Sequence, residues 1–597
     1  MSETVKSAVE KFGNNATRLI DILHQIQAED GYISDDSVNE LSDLLNISTV
    51  DIEQTLSFYH FFNRTPNGKY NIHLNNSAVA NMMGRAQVAN YLTKELECNF
   101  GQVTSDGLIG LYETACIGMS DQEPAAIING KIFTCLTPEK MKNIINNMKA
   151  GKDINEMTES SGDGMNSSEL IKSMVNNNIH RKGEVILSDF ESGTAIKKMA
   201  TFNPEEIVKI VKNANLRGRG GAGFPTGMKW EFCRKSAETP RYVICNADEG
   251  EPGTFKDRVI LTECPHLLFE GMVIAGYAIE AKESILYLRN EYRYLEQYLE
   301  NVLADMRNNN LLGTNICGKD NFSYDIRIQF GAGAYICGEE SALIESVEGK
   351  RGEPRNRPPF PVEKGYLDKP TVVNNVETLC AAARIIINGP EWFKNIGIIN
   401  SSGTKLLSVS GDCDKPGIYE IPWGLTVNEL LNMVEAKSTK AVQIGGPSGI
   451  CVGEKDFNKK ISFDDLATGG SIIIMNKDRN LLEIVDNFMD FFIDESCGSC
   501  VPCRALTVVL KKKLEKVMHG NGTQKDLEEM EQWGSMMKMA NRCGLGQTAA
   551  NPILSTLKSF KQDYQNLIKS EEDYVSEFDL AQAVAESCEV AGRTPNL

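Results

Sequence analysis

"DESCGSCVPCR", residues 494–504, sets Cys497, Cys500 and Cys503 at intervals of three in one short turn. A Cys-x2-Cys-x2-Cys loop aims three sulfurs at three corners of one cube and leaves the fourth iron for a distant cysteine. Two cysteines follow. Cys543 stands in "NRCGLGQTA", where glycines let the backbone come close to a cluster and the intervening chain is the span of a helical hairpin. Cys588 stands in the charged tail "AESCEVAG". The reading is a [4Fe–4S] cluster on Cys497, Cys500, Cys503 and Cys543. The alternative is structural zinc, but zinc sites pair two Cys-x2-Cys hooks, and a third thiolate at the same spacing is hard to bring round one tetrahedral ion. A cubane carries one electron at a time, so something must supply single electrons.

Composition narrows the rest of the chain. Its 597 residues suggest about four domains, and 41% hydrophobic residues suffice for their cores. Lys+Arg 62 against Asp+Glu 81 gives a net charge of −19, which repels a phosphate backbone and argues against nucleic acid. The start "MSETVKSAVEKFG" has no apolar signal region, and no stretch approaches the ~20 apolar residues of a membrane span. A cytoplasmic chain is expected. In that setting the 16 cysteines read as reduced thiols and metal ligands, with single ones such as Cys245 and Cys380 serving as small core side chains.

Outward from the cluster motif, the pattern is α/β and multidomain. "SVNELSDLL" puts Val38, Leu41 and Leu45 on one helical face, and "STVDIEQTLSFYHFF" opens on a Ser48/Asp51 capping pair before Ile52, Leu56 and Tyr59. Strands such as "KYNIHL" then alternate with helices such as "AQVANYLTKEL", completing a first region over 1–150. Residues 151–185, including "GKDINEMTESSGDGMNSSE", are polar and read as a linker. Residues 186–400 are Gly-rich α/β, with "RYVICNADEGEPG" and "ESILYLRNEY" as strands running into loops. "KLLSVSGDCDKPGIYEIPWGLTVNELLNMV" gives two strands, a turn and a helix, suited to a ubiquitin-like β-grasp insert over 401–480. Residues 481–597 are helical and hold the cluster motif.

Four stretches in the middle region carry candidate ligand chemistry. "NLRGRGGAGFPTGMKW" (215–230) is a glycine loop running into a helix, able to present N–H groups to a phosphate, with Lys229 as a point charge. "CNADEGEPGTFKDR" concentrates Asn246, Asp248, Glu249 and Glu251 after a strand, a costly acidic density unless it accepts hydrogen bonds from sugar hydroxyls or ring N–H groups. "GAGAYICGEESALIESVEGKRGEPRNRPPFP" adds Glu339, Glu340, Arg357 and Phe360, and "TVVNNVETL" adds Asn374, Asn375 and Thr378.

Together these motifs, over about 190–597, resemble the flavoprotein subunit that oxidises NADH at the tip of respiratory complex I and its soluble relatives. The resemblance implies FMN held by Gly218, Gly220, Lys229, Asn246, Asp248, Glu339, Asn374, Asn375 and Thr378 in a Rossmann-like domain. It implies NAD stacked on Phe224 and Phe232, with Glu251, Glu340 and Phe360 nearby; carboxylates there favour a bare ribose diol over a 2′-phosphate. No catalytic side-chain acid or base is expected, since hydride transfer to the flavin needs none, although Glu249 and Glu251 lie near. Residues 1–150 resemble the thioredoxin-like partner of that flavoprotein, which holds a [2Fe–2S] cluster. Its ligand positions align here on Asn75, Ala80, Cys116 and Ser120, one thiol among four, so no [2Fe–2S] cluster is expected and the domain is expected to serve in packing or docking. The fusion of both parts, with "SFYHFF" and "CIGMSDQEPA", is most similar to the diaphorase subunits of soluble NAD-reducing [NiFe]-hydrogenases. That implies a hetero-oligomer with an iron–sulfur partner subunit and, through it, a [NiFe] module. The alternatives are the corresponding subunit of a formate dehydrogenase or a respiratory NADH dehydrogenase and, outside enzymes, a zinc-stabilised scaffold.

Overall fold

The computed structural model describes residues 2–157, 171, 174–319, 322–569 and 580–592. Helices Glu3–Lys11, Leu19–Asp30, Asp35–Leu45 and Thr49–Leu56 open the chain. Val38, Leu41, Leu45, Ile52, Leu56 and Tyr59 are buried, as their spacing predicts. The Ser48 cap forms by half: its hydroxyl accepts the Asp51 N–H at 3.1 Å, while the Asp51 carboxylate takes the Ser48 hydroxyl and not its backbone N–H.

A five-stranded sheet follows, in the order Gln102–Val103, Ile109–Thr114, Tyr70–Asn75, Ala126–Ile128, Lys131–Phe133. Helices Arg85–Leu96 and Pro138–Lys149 pack against each other over it. This is the thioredoxin-like arrangement, with the central strand Tyr70–Asn75 parallel to one neighbour and antiparallel to the other.

The central domain is a parallel sheet in the order Thr371–Asn375, Arg241–Ala247, Ala281–Leu288, Ile326–Phe330. Its strands are buried runs of Val, Ile and Leu, as a sheet covered by helices requires. The carboxyl ends of these strands and the segments that leave them carry Asn375, Asp248 and Tyr335, so these meet at the end of the sheet where α/β folds place ligands. Among the described residues no single helix is long and apolar enough to cross a membrane; a pair bent by 97°, Lys256–Glu263 with Pro265–Ile279, has the composition, but it lies buried in the core of this domain.

A second sheet has six strands: Ile450–Gly453, Thr439–Ile444, Ser471–Asn476, Thr404–Gly411, Gly417–Pro422 and Ile179–Arg181. The last strand corrects the linker assignment for 151–185. Residues 158–170, with most of its polar stretch, lie outside the described residues, but Ile171, Met174 and Val175 are buried and Ile179–Arg181 pairs with Gly417–Pro422. A three-residue edge strand is specified by its partner, not by its own sequence. Glu420 fixes the following turn by accepting the N–H groups of Gly183, Val185, Ile186 and Leu187. The helices Leu481–Asp494, Val501–Met518, Gln524–Ala540 and Asn551–Ser559 form the C-terminal domain.

Candidate functional site

A cavity of about 500 Å³ opens between the central domain, the β-grasp sheet and the C-terminal helices. The glycine loop forms one wall. It is tied down from behind: the Gly218 N–H donates to the Phe224 carbonyl at 2.9 Å and the Arg219 N–H to Thr378 Oγ1 at 2.9 Å, while the buried Arg219 guanidinium reaches the Ser402 carbonyl at 2.6 Å. Gly220, Gly221 and Ala222 are thereby left facing the cavity. Gly221 has φ +126, which side-chain-bearing residues avoid, and a Cβ on Gly220 would stand 3.4 Å from Asn375.

Asn246, Asp248 and Glu249 form a second wall. Asn246 Nδ2 donates to the Gly338 carbonyl at 2.8 Å, and its Oδ1 accepts the Asp248 N–H at 3.0 Å, so this amide ties the loop to the neighbouring Gly338 segment. Asp248 Oδ2 is buried with no partner, as is Thr254 Oγ1, which also lines the cavity. Burial holds the Asp248 carboxyl well above the usual carboxylate range. An unsatisfied buried acceptor beside exposed loop backbone fits a ligand bearing hydroxyl or ring N–H donors and an anionic group, and FMN has both.

Glu251, Glu339 and Asn375 also line the cavity. Glu251 accepts the Tyr335 hydroxyl at 2.5 Å and the Ser448 N–H at 2.8 Å, and burial pushes its carboxyl up to about 7. Glu339 caps the helix Glu340–Val347 through the Ser341 and Ala342 N–H groups and pairs with Arg357. Four expected residues stand behind the wall instead of on it. Gly218 and Thr378 hold the loop; Asn374 Oδ1 accepts the Trp230 indole N–H at 2.8 Å; Lys229 Nζ sits 2.9 Å from Glu340 Oε2 and 3.1 Å from the Val373 carbonyl. Phe224, Phe232 and Phe360 are each about half exposed, at 45%, 45% and 49%, unusual for large apolar rings and available for stacking. Lys256, Asp257, Tyr335 and Ser448 line the cavity without having been singled out in the sequence; Lys256 and Asp257 were visible only as part of "TFKDR".

The third wall is Gly544, Leu545 and Thr548, from the short helix Gly544–Thr548 that Cys543 precedes as its N-cap. Cys500 is the N-cap of Val501–Met518, Cys503 lies in that helix's first turn, and the Cys503 N–H donates to Asn541 Oδ1 at 3.0 Å, two residues from Cys543. Burial raises the thiols of Cys497, Cys503 and Cys543, and nearness to one another raises them further: Cys503 feels Cys497 and Cys500, and Cys543 feels Cys497 and Cys503. Cys588 lies on the separate helix Leu580–Ala591. Among the described residues no three His, Cys, Asp or Glu side chains gather as one bound ion requires. Cys497, Cys500, Cys503 and Cys543 together offer four thiols, a donor set that fits a cubane by its chemistry.

In the N-terminal domain, Asn75 donates to Glu123, Ala80 is buried, and Cys116 Sγ lies 3.5 Å from Ser120 Oγ. Arg289 donates to the Cys116 carbonyl at 2.7 Å and also to the Glu249 carbonyl, so the Cys116 loop is bolted to the acidic wall of the cavity.

Against known proteins, the alpha subunit of the NAD-reducing hydrogenase HoxS of Cupriavidus necator is 49% identical over 98% of both chains. The chain belongs to this family of hydrogenase alpha subunits. Within the family frame, residues 211–384 match the Nuo51 FMN-binding domain and residues 483–567 the iron–sulfur binding region of NADH-ubiquinone oxidoreductase F. The F 2 subunit of the NADH-quinone oxidoreductase of Rhizobium meliloti is 41% identical, over 64% of this chain and 93% of its own. A crystal structure of an NAD+-reducing [NiFe]-hydrogenase in the H2-reduced state superposes with a TM-score of 0.87 at 38% identity, covering 98% of each chain. The family member described here is thus an oxidoreductase subunit that moves electrons between NAD(H), FMN and iron–sulfur. Residues 5–149 match the thioredoxin-like [2Fe–2S] ferredoxin family. That match overturns the expectation that no [2Fe–2S] cluster belongs to the N-terminal domain. The expectation rested on thiol count at four aligned positions alone, and the match spans the whole domain.

Proposed function

We propose that this chain is the diaphorase subunit of a cytoplasmic NAD-reducing hydrogenase, joining NAD(H) to one-electron carriers through FMN in the 500 Å³ cavity. One observation carries the reading: a single cavity has the Gly220 loop and Asp248 on two walls and, on the third, the turn that Cys543 begins. Bound there, FMN supplies the exchange between hydride and single electrons. The chain's own residues bind and orient. Backbone N–H groups of the Gly220–Ala222 segment would take the phosphate, and Asp248, Asn246 and Asn375 the hydroxyls and ring edge. Gly218, Lys229, Asn374 and Thr378 hold those residues in place from behind. Phe224, Phe232 and Phe360 would stack the dinucleotide, with Glu251 and Glu340 facing its ribose hydroxyls. Cys497, Cys500, Cys503 and Cys543 would hold the [4Fe–4S] cluster.

The full-length match to a hydrogenase alpha subunit, against a match to the F 2 subunit that covers 64% of the chain, favours a hydrogenase assembly over a respiratory one. The partners would be an iron–sulfur subunit and, through it, a [NiFe] module. All cysteines among the described residues are free, which suits a reducing compartment. The test is purification of the native complex with flavin and metal analysis. Flavin, iron and nickel together support the reading; molybdenum in place of nickel points to a formate dehydrogenase, and zinc without flavin refutes it.

A further inference from the structure

Beside the cavity lies a chain of buried charges that no role assigned above uses. Lys405, on the β-grasp strand Thr404–Gly411, has no exposed side chain and ion-pairs with Glu377 on the helix Val376–Asn388, itself 1% exposed. Glu377 Oε2 is 3.2 Å from Lys256 Nζ, and the Leu406 N–H donates to its other oxygen at 3.0 Å. Lys256 Nζ in turn lies 2.6 Å from Asp257 Oδ1 and 3.2 Å from Asn375 Oδ1, and Asn375 Nδ2 closes the ring to Asp257 Oδ2 at 2.7 Å. Lys256, Asp257 and Asn375 all line the cavity. The Lys256 stem passes Gly470, where a Cβ would come within 2.9 Å of it. Burying so many charges is expensive, and removing one partner of such a pair leaves the other stranded.

We propose that Lys405 is a positioning residue: acting through Glu377, it fixes the Lys256 ammonium on the cavity wall and sets the charge that a bound flavin meets. The inference rests on the placement of FMN proposed above. Its logic is electrostatic. Electrons entering the cavity are favoured by positive charge in a low-dielectric wall, and Glu377 divides its negative charge between two ammonium groups. Burial presses Lys405 down to about 7 against the pull of Glu377, with Lys256 and Arg219 pressing the same way; Lys256, drawn by Asp257, Glu377 and Glu249 against its own burial, is raised. Lys256 therefore keeps its charge, and Lys405 is the adjustable member.

The test is the midpoint potential of FMN in the purified holo-complex, at about pH 6, where Lys405 is protonated. Lys405→Met leaves the Glu377 carboxylate to Lys256 alone, offsetting more of that ammonium's charge, and is expected to shift the potential negative. Glu377→Gln removes the carboxylate that faces Lys256 and is expected to shift it positive. The double variant, which removes the pair without stranding a charge, is expected to return near the parent value. A merely structural role would move both single variants the same way, and that result, or no shift, overturns the inference. Should a single variant lose its flavin, Lys256→Gln must lower the potential; an unmoved potential there also overturns it. Absence of flavin from the parent complex would instead refute the proposed function.

Discussion

Lys229 Nζ and Glu340 Oε2 lie 2.9 Å apart, both side chains largely buried, and Arg357 approaches the same carboxylate at 3.4 Å. The residue expected to meet the flavin and the residue expected to select the dinucleotide are one ion pair. Neither can be altered without touching the other.

Glu340→Gln keeps the shape and removes the negative charge. A 2′-phosphate is then repelled less, and the kcat/KM ratio of NADPH to NADH is expected to rise about tenfold, the equivalent of ~1.4 kcal/mol. Steady-state kinetics with both dinucleotides check it. An unchanged ratio would assign the selection to Glu251.

Glu249 accepts the Asp257 N–H at 2.8 Å and the Tyr292 hydroxyl at 2.9 Å; burial, and then Asp257, raise its carboxyl to about 7. The folded chain therefore binds a proton that the unfolded chain releases near its ordinary value of 4.5. Its stabilising contribution is full below that value and is lost as pH rises through about 7. Thermal melts of flavin-free protein should fall in midpoint across this window, and less steeply in Glu249→Gln.

Arg258 and Asp121 form an ion pair 3.2 Å long with no side-chain exposure, joining the Cys116 loop of the N-terminal domain to the central domain. Asp121→Asn strands the guanidinium and is expected to cost ~3 kcal/mol. Hydrogen exchange should quicken in residues 116–123, while the β-grasp strands stay protected.

How much of this could be read in advance depended on how local each signal was. The three cysteines of 497–503 are neighbours in sequence, and "RYVICNA" and "ESILYL" carry the continuous apolar pattern of covered strands, so both were legible. The aligned loops located the cavity, but not which residues face it: Gly218 and Thr378 hold the glycine loop from behind, and Asn374, on the strand Thr371–Asn375, turns to the Trp230 indole. Nothing local in "TFKDR" marks Lys256, which is buried by the β-grasp sheet, and Tyr335 reaches Glu251 across 84 positions of chain. The strand Ile179–Arg181 is too short for its own periodicity to show. In the N-terminal domain the signal is spread over residues 5–149 and does not rest on Asn75, Ala80, Cys116 and Ser120.

In the proposed relay, electrons pass between FMN and the cluster that Cys543 completes, across the wall formed by Gly544 and Leu545. Because that wall is shared, flavin content must first be matched between variant and parent. The decisive measurement is then the ratio of two NADH activities in flavin-replete Cys543→Ala complex: reduction of an artificial acceptor, and transfer to the partner subunit. Transfer is expected to collapse while the artificial acceptor is still reduced. Equal loss of both would contradict the order of the relay, and loss of neither would remove Cys543 from the cluster.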